Sequence, residues 1–140
     1  MNSISGHCLC KSIRFKILSE CRKSVFCHCS MCQRSNSEFS LYTKVKIENF
    51  KISKNLSLKW FFSSKKYKRG FCSRCGSSLF FKQREKPTHV AISTGCLNKA
   101  IPIAGHIYYQ DKKMKIPLYK NLKKFHRSHR GFFDKFKFKI

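Results

Sequence analysis

Apolar and polar residues alternate over short stretches of this chain. Across residues 12–17, Ile13, Phe15 and Ile17 fall on one side and Ser12, Arg14 and Lys16 on the other, the period of two expected of a half-buried strand. Residues 42–47 alternate less cleanly but are rich in β-forming side chains, and residues 56–62, 79–82, 90–94 and 106–109 are further strand candidates. Trp60, with the adjoining Phe61 and Phe62, reads as core. No stretch sustains the three- and four-residue spacing of an amphipathic helix, so residues 29–35 read as a turn leading into at most one short helix. Pro87, Gly95, Pro102, Gly105 and Pro117 mark turns or loop ends in the second half. The pattern predicts a mostly β fold of short strands. A chain of 140 residues buries about two-thirds of its unfolded surface, enough for one modest core and a single domain.

The last stretch departs from this pattern. From Lys112 onward lysine and aromatic residues dominate, and Phe136, Phe138 and Ile140 would line one face of a terminal strand. The alternative is a basic, aromatic-rich tail that touches nucleic acid or a membrane surface.

Charge sharpens the question of partners. The chain carries 31 Lys and Arg against six Asp and Glu, a formal net charge of +25. Such an excess favours anions: nucleic acid, acidic membranes or small molecules bearing carboxylates. Lysine outnumbers arginine 23 to eight and is spread along the chain, whereas specific phosphate and base-edge recognition favours arginine. The expectation is a solvated basic surface with non-specific nucleic-acid contact at low salt. The six carboxylates lie far apart in sequence, which argues against paired-carboxylate catalysis, and no glycine-rich phosphate loop occurs. No stretch approaches a membrane span, and residues 1–15 lack the apolar centre of a secretory leader, so the expected compartment is a reducing cytoplasm.

The chemistry lies in the cysteines. Seven of nine form three tight groups: Cys8 and Cys10; Cys27, Cys29 and Cys32; Cys72 and Cys75. An odd total and one-residue spacings suit disulfides poorly, whereas thiolates one or two residues apart reach one metal ion from a single turn. Zinc is the expected ion. Four sulfurs close a structural site and three leave a fourth position open to chemistry, although spacing alone does not fix the partition: Cys27 could equally pair with Cys72. Structural zinc contributes about 10 kcal/mol, comparable with the whole stability of a small domain, so its removal is expected to unfold the protein. Cys21 and Cys96 lie outside the groups and read as small buried hydrophobes. His28, between two candidate ligands, suits either a proton shuttle or a structural hydrogen bond. His106 reads as a packed histidine, and His7 as an unneeded rival ligand beside Cys8. Arg34 and Ser77, just beyond ligand turns, are candidates to hydrogen-bond metal-bound sulfur.

Taken in order, these groups resemble the glutathione-dependent formaldehyde-activating enzyme family, which includes the centromere protein V type. The resemblance rests on Gly6-His7-Cys8-Leu9-Cys10, then Cys27-His28-Cys29-Ser30-Met31-Cys32-Gln33-Arg34, then Phe71-Cys72-Ser73-Arg74-Cys75-Gly76. Gly95-Cys96-Leu97-Asn98 and Pro102 to His106 extend it, and it covers roughly residues 3–120 in the right order. It implies an Mss4-like zinc-binding β fold, with residues 1–125 as the zinc-binding domain and 126–140 as a basic, aromatic extension. By that likeness Cys8, Cys10, Cys72 and Cys75 hold a structural zinc. Cys27, Cys29 and Cys32 hold a second zinc open to water or a substrate thiol, and with His28 they form the expected catalytic group. The implied activity is carbon–sulfur lyase chemistry on a glutathione-like thiol, the formation or breakdown of S-hydroxymethylglutathione. A non-catalytic zinc module with a nucleic-acid-binding surface is the rival. Two residues depart from the family pattern: Lys11 replaces a glycine, which alters a local turn, and Asn98 replaces an aspartate, which removes a carboxylate from the neighbourhood of the ligands.

Overall fold

The structure, a computed structural model, describes residues 3–113. Expectations for Pro117, for the terminal strand bearing Phe136, Phe138 and Ile140, and for an extension over 126–140 lie outside the described residues. Within them the protein is mostly β. The strands are β1 (Ile4–His7), β2 (Ile13–Ile17), β3 (Ser24–Cys27), β4 (Ser40–Lys46), β5 (Phe50–Asn55), β6 (Leu58–Phe62), β7 (Tyr67–Cys72), β8 (Ser78–Gln83), β9 (His89–Ser93) and β10 (Ile103–Ile107). One short helix, α1 (Ser30–Ser35), follows β3. No helix among the described residues is long and apolar enough to cross a membrane.

Two sheets share one core. The smaller has the order β1-β2-β5 and the larger β10-β3-β4-β9-β8-β7-β6, antiparallel except where β10 joins β3 in parallel. In the small sheet Ile4, Ile13, Phe15 and Ile17 are buried, as the alternation of residues 12–17 requires. In the large sheet the register pairs Val45 with Val90 and Ile92 with Phe80, and places Gly70 opposite both Phe80 and Trp60. These residues form the face that packs on the small sheet. Phe15 and Phe50 meet Phe80 edge-on, with ring centroids 5.1 and 5.0 Å apart, an arrangement worth about 1 kcal/mol per pair beyond burial.

Close packing explains one glycine. Gly6 pairs with Phe15 and bridges to Leu97; a Cβ there would run into the Phe15 ring and come within 2.6 Å of the Cys96 carbonyl oxygen. Gly105, expected as a turn, lies instead inside β10, where the pairing with β3 slips by a residue and the backbone adopts φ 155°.

Other expectations also shift. The strand expected at 106–109 begins earlier and ends at Ile107, after which the chain turns through Tyr109–Asp111. Trp60 is partly buried on Gly70 and Phe80, but Phe61 and Phe62 are 45% and 64% exposed and are not core. They lie on β6, the last strand of the large sheet, which has a neighbour on one side only.

Lys11 has φ 60°, in the left-handed region where a Cβ is strained, and its N–H closes the turn onto the Cys8 carbonyl at 3.0 Å. A glycine at this position suits the turn without strain. Lys11→Gly is expected to raise stability by about 0.5–1 kcal/mol, the strain relieved less the flexibility added to the unfolded chain. Equilibrium urea unfolding checks this through the midpoint at unchanged slope; a lower midpoint would mean that the strain argument is wrong.

Candidate metal centres and the adjoining cavity

The cysteine-bearing turns gather seven sulfurs into two clusters. Cys8 and Cys10 come from the turn between β1 and β2, while Cys72 ends β7 and Cys75 follows it; their four sulfurs lie within 4.8 Å of one another. Cys8 and Cys10 are 3.6 Å apart, and Cys10 and Cys72 are 3.8 Å apart. Cys27 ends β3, Cys29 caps α1 and Cys32 lies on its first turn; these three sulfurs also lie within 4.8 Å of one another. Soft thiolates this close are a donor set that can hold a metal ion.

Hydrogen bonds surround the four-sulfur cluster. Ser12 Oγ lies 3.1 Å from Cys10, Ser57 Oγ 3.1 Å from Cys72 and Ser77 Oγ 3.2 Å from Cys75. The backbone N–H of Ile13 donates to Cys8 at 3.3 Å, and that of Cys75 to Cys72 at 3.4 Å. Burial opposes ionisation of Cys72, but the bonds from Ser12, Ser57 and the backbone outweigh it and bring the thiol down to about 5. Ser77 also accepts the Leu9 N–H at 3.1 Å, joining the two ligand turns directly. His7 turns away: its Nδ1 bonds the Cys8 carbonyl at 2.8 Å. Cys96 packs against this region, where burial first, then the neighbouring Cys8 and Cys75, push its thiol up to about 11. Cys21 likewise packs on the core, and burial raises its thiol.

The three-sulfur cluster is built differently. Cys29 Sγ accepts the Cys32 N–H at 3.4 Å, so one sulfur caps the helix that carries the next. The bond from Cys27, joined by Ser40 and Arg69 against the effect of burial, brings Cys32 down to about 5, while Cys27 is pushed up by the same bond and by burial. Arg69, on β7 and only 2% exposed, donates from one terminal nitrogen to Cys32 Sγ at 3.6 Å and from the other to the Tyr42 hydroxyl at 3.1 Å. Arg34 was the arginine expected near these sulfurs, but it is exposed on the last turn of α1. A buried arginine inside a strand contradicts the alternation rule, so no sequence signal pointed to Arg69.

A cavity of about 690 Å³ opens beside this cluster, and Cys27, Cys29 and Cys32 all line it. Its floor is the face of the large sheet opposite the core, where the register aligns Val25 with Tyr42, Lys44 with Ala91, Ala91 with Phe81 and Phe81 with Arg69. Arg22, Lys23, Lys44 and Lys82 bring positive charge to the lining, against a single acidic residue, Asp111. The volume falls in the range of small-molecule sites.

His28 does not line this cavity. It is 1% exposed, and its Nε2 meets His106 Nδ1 at 2.9 Å, with Tyr109 edge-on to both rings. Burial first, then His106 and Lys112, disfavour its protonation. His106 stacks on Phe26 and is exposed on its outer side. Asn98 bonds neither cluster; its side-chain nitrogen donates to Ser5 Oγ at 2.9 Å and its backbone N–H to the Ser5 carbonyl. The residue that replaces the family aspartate therefore ties a loop to β1.

The chain is 33% identical over 82 residues to an uncharacterized lyase of Schizosaccharomyces pombe, a match covering 58% of each protein. The chain thus spans little more than half the length of that relative. A Rhodobacter sphaeroides protein of known crystal structure shares the fold, with a TM-score of 0.60 and 18% identity over 74% of this chain and 99% of that one. The family described as glutathione-dependent formaldehyde-activating enzyme matches residues 3–111, which include all seven clustered cysteines. The chain belongs to that family.

Proposed function

We propose that the chain is a zinc-dependent carbon–sulfur lyase acting on a glutathione-like thiol adduct, forming or breaking S-hydroxymethylglutathione. The observation that carries this reading is the cluster of three sulfurs in the wall of a cationic cavity. Cys8, Cys10, Cys72 and Cys75 are assigned the structural zinc, a complete tetrahedral set. Cys27, Cys29 and Cys32 are assigned a second zinc with a fourth position left for a ligand. A zinc held by three thiolates keeps Lewis acidity and favours the deprotonated form of a fourth thiol.

The chain's own residues supply binding and shelter. Arg22, Lys23, Lys44 and His89 suit the carboxylates of a glutathione-like molecule, and Tyr42, Tyr67 and Phe81 give the cavity an aromatic wall. In the addition direction the thiol sulfur bonds the carbonyl carbon of formaldehyde, and the thiol's proton ends on the former carbonyl oxygen. The reverse reaction breaks that carbon–sulfur bond. His28, buried on His106, is assigned to holding the ligand turn rather than to moving this proton; its N–H also donates to the Ile107 carbonyl at 3.1 Å.

A second reading has an observation of its own. Arg84 lies 3.7 Å from the exposed Phe62 ring, and Lys82 and Lys68 lie 4.7 and 5.5 Å from Trp60. Cations interleaved with aromatic rings suit weak contact with single-stranded nucleic acid.

Three measurements test these readings. The purified chain is expected to hold two zinc ions, and stripping them with a chelator to unfold it, seen as loss of near-ultraviolet circular dichroism; a metal-free chain that keeps its signal would refute the structural assignment. Exchange NMR on a formaldehyde and glutathione mixture is expected to show faster adduct exchange with the protein, and no acceleration with Cys29→Ser. An unchanged rate with the zinc-loaded parent would remove the lyase reading. For the second reading, affinity for a short single-stranded DNA is expected to fall steeply with salt and drop about tenfold in Phe62→Ala. Binding that ignores both changes would discard it.

A further inference from the structure

The three-sulfur centre and the four-sulfur centre differ in what faces their sulfurs. At the four-sulfur cluster the partners are neutral: the hydroxyls of Ser12, Ser57 and Ser77 and backbone N–H groups. At the three-sulfur cluster one partner is a full positive charge, the Arg69 guanidinium. Arg69 is the one buried cationic side chain of the described residues apart from the titratable His28.

Its surroundings do not explain its burial by themselves. No carboxylate among the described residues meets the guanidinium; its partners are Cys32 Sγ, the Tyr42 hydroxyl and the face of the Phe81 ring, 4.6 Å away. Its Nε is buried without a hydrogen-bond partner. A charge taken out of water this completely is costly unless an opposite charge lies beside it. The group able to supply that charge is the sulfur cluster, since cysteines must lose their protons to hold a metal. Three thiolates around a divalent ion leave one net negative charge, and a fourth thiolate leaves two. A fixed cation against one sulfur offsets part of that charge at the centre whose fourth position is open. Tyr42, which also accepts from Asn36 at 3.2 Å, holds the guanidinium in place.

We infer that Arg69 is the charge-compensating and positioning residue of the tri-cysteine centre, anchored by Tyr42 and acting on the metal through Cys32. The inference rests on the metal reading above and deepens it. Competition with a chromophoric chelator reads both zinc affinities in one chain, so the four-cysteine site serves as internal control. Arg69→Gln is expected to weaken the second ion by about ten- to a hundredfold and leave the first unchanged, while Arg69→Lys recovers part of the loss. Equal second-site affinity in the parent and a folded Arg69→Gln would overturn the role of Arg69 alone. So would equal weakening of both ions, the mark of general destabilisation. A parent that holds one ion would instead sink the two-metal reading, and this inference with it. Should Arg69→Gln fail to fold, Tyr42→Phe decides: a severalfold weakening confined to the second ion supports the role, and an unchanged ratio of affinities overturns it.

Discussion

The fold depends on bringing thiol sulfurs together from turns distant in sequence. Cys8 and Cys10 belong to the small sheet's first turn, and Cys72 and Cys75 to the end of β7 in the large sheet and the turn after it, so their convergence fixes how one sheet sits on the other. Ser77 reinforces the join by bonding across it to the Leu9 N–H. Between the sheets the apolar layer is thin. Phe15, Phe50 and Phe80 fill its centre, and Gly6 is the only residue that fits where β1 crosses Phe15 and the Cys96 carbonyl. Four thiolates this close would repel one another without a cation between them, and this set of four sulfurs could hold one.

The large sheet separates stability from chemistry by its two faces. Val45, Gly70, Phe80, Val90 and Ile92 lie on the core face, and residues of the same strands on the opposite face, Tyr42, Lys44, Arg69, Phe81 and Ala91, floor the cavity. A pleated strand turns alternate residues to opposite faces, so both surfaces come from the same short strands. β7 connects the two sulfur clusters: Arg69 reaches Cys32 on one, and Cys72, three positions later, belongs to the other. Gly70 between them admits the Trp60 ring, whose nearest atoms would lie 3.1 Å from a Cβ there. Successive residues of β7 thus serve the three-sulfur cluster, the core and the four-sulfur cluster in turn, so combined changes at neighbouring positions will not add as independent sites do.

Much of this was legible in the residue pattern. The alternation over 12–17 located β2, the β-forming runs located β4, β6, β8 and β9, and the one short helix lies within the turn assigned to 29–35. Cysteine spacing marked the turns because ligand geometry is local. What it could not choose was the partition among three groups, which depends on strand order. Strands β1, β3, β5 and β7 were not read, and each has a physical reason. β1 and β7 contain glycines required by close packing, and β7 buries an arginine where the pattern calls for an apolar residue. β3 reads Ser-Val-Phe-Cys with no alternation, and β5 has Phe50 and Ile52 followed by a polar, exposed end. The same limit misdirected the search for a cation near the sulfurs. Arg34 is close in sequence and exposed in space, while Arg69 is 37 residues from Cys32 and in contact with it.

Net charge therefore says less about the site than position does. The chain has a formal +25, and among the described residues every Lys and Arg but Arg69 reaches solvent, where water and salt reduce its reach to about 10 Å or less. Cations such as Lys23 and Lys44 at the cavity lining raise the local concentration of anions without selecting among them. Arg69 differs because it has lost its water: at low local dielectric one fixed charge against a sulfur outweighs several mobile ones at the surface. The serine hydroxyls around the closed cluster provide the contrast. The four-sulfur cluster meets neutral donors, whereas the three-sulfur cluster meets a full positive charge. The placement of Arg69, the one buried Lys or Arg among the described residues, thus distinguishes the two clusters more sharply than their sulfur count alone.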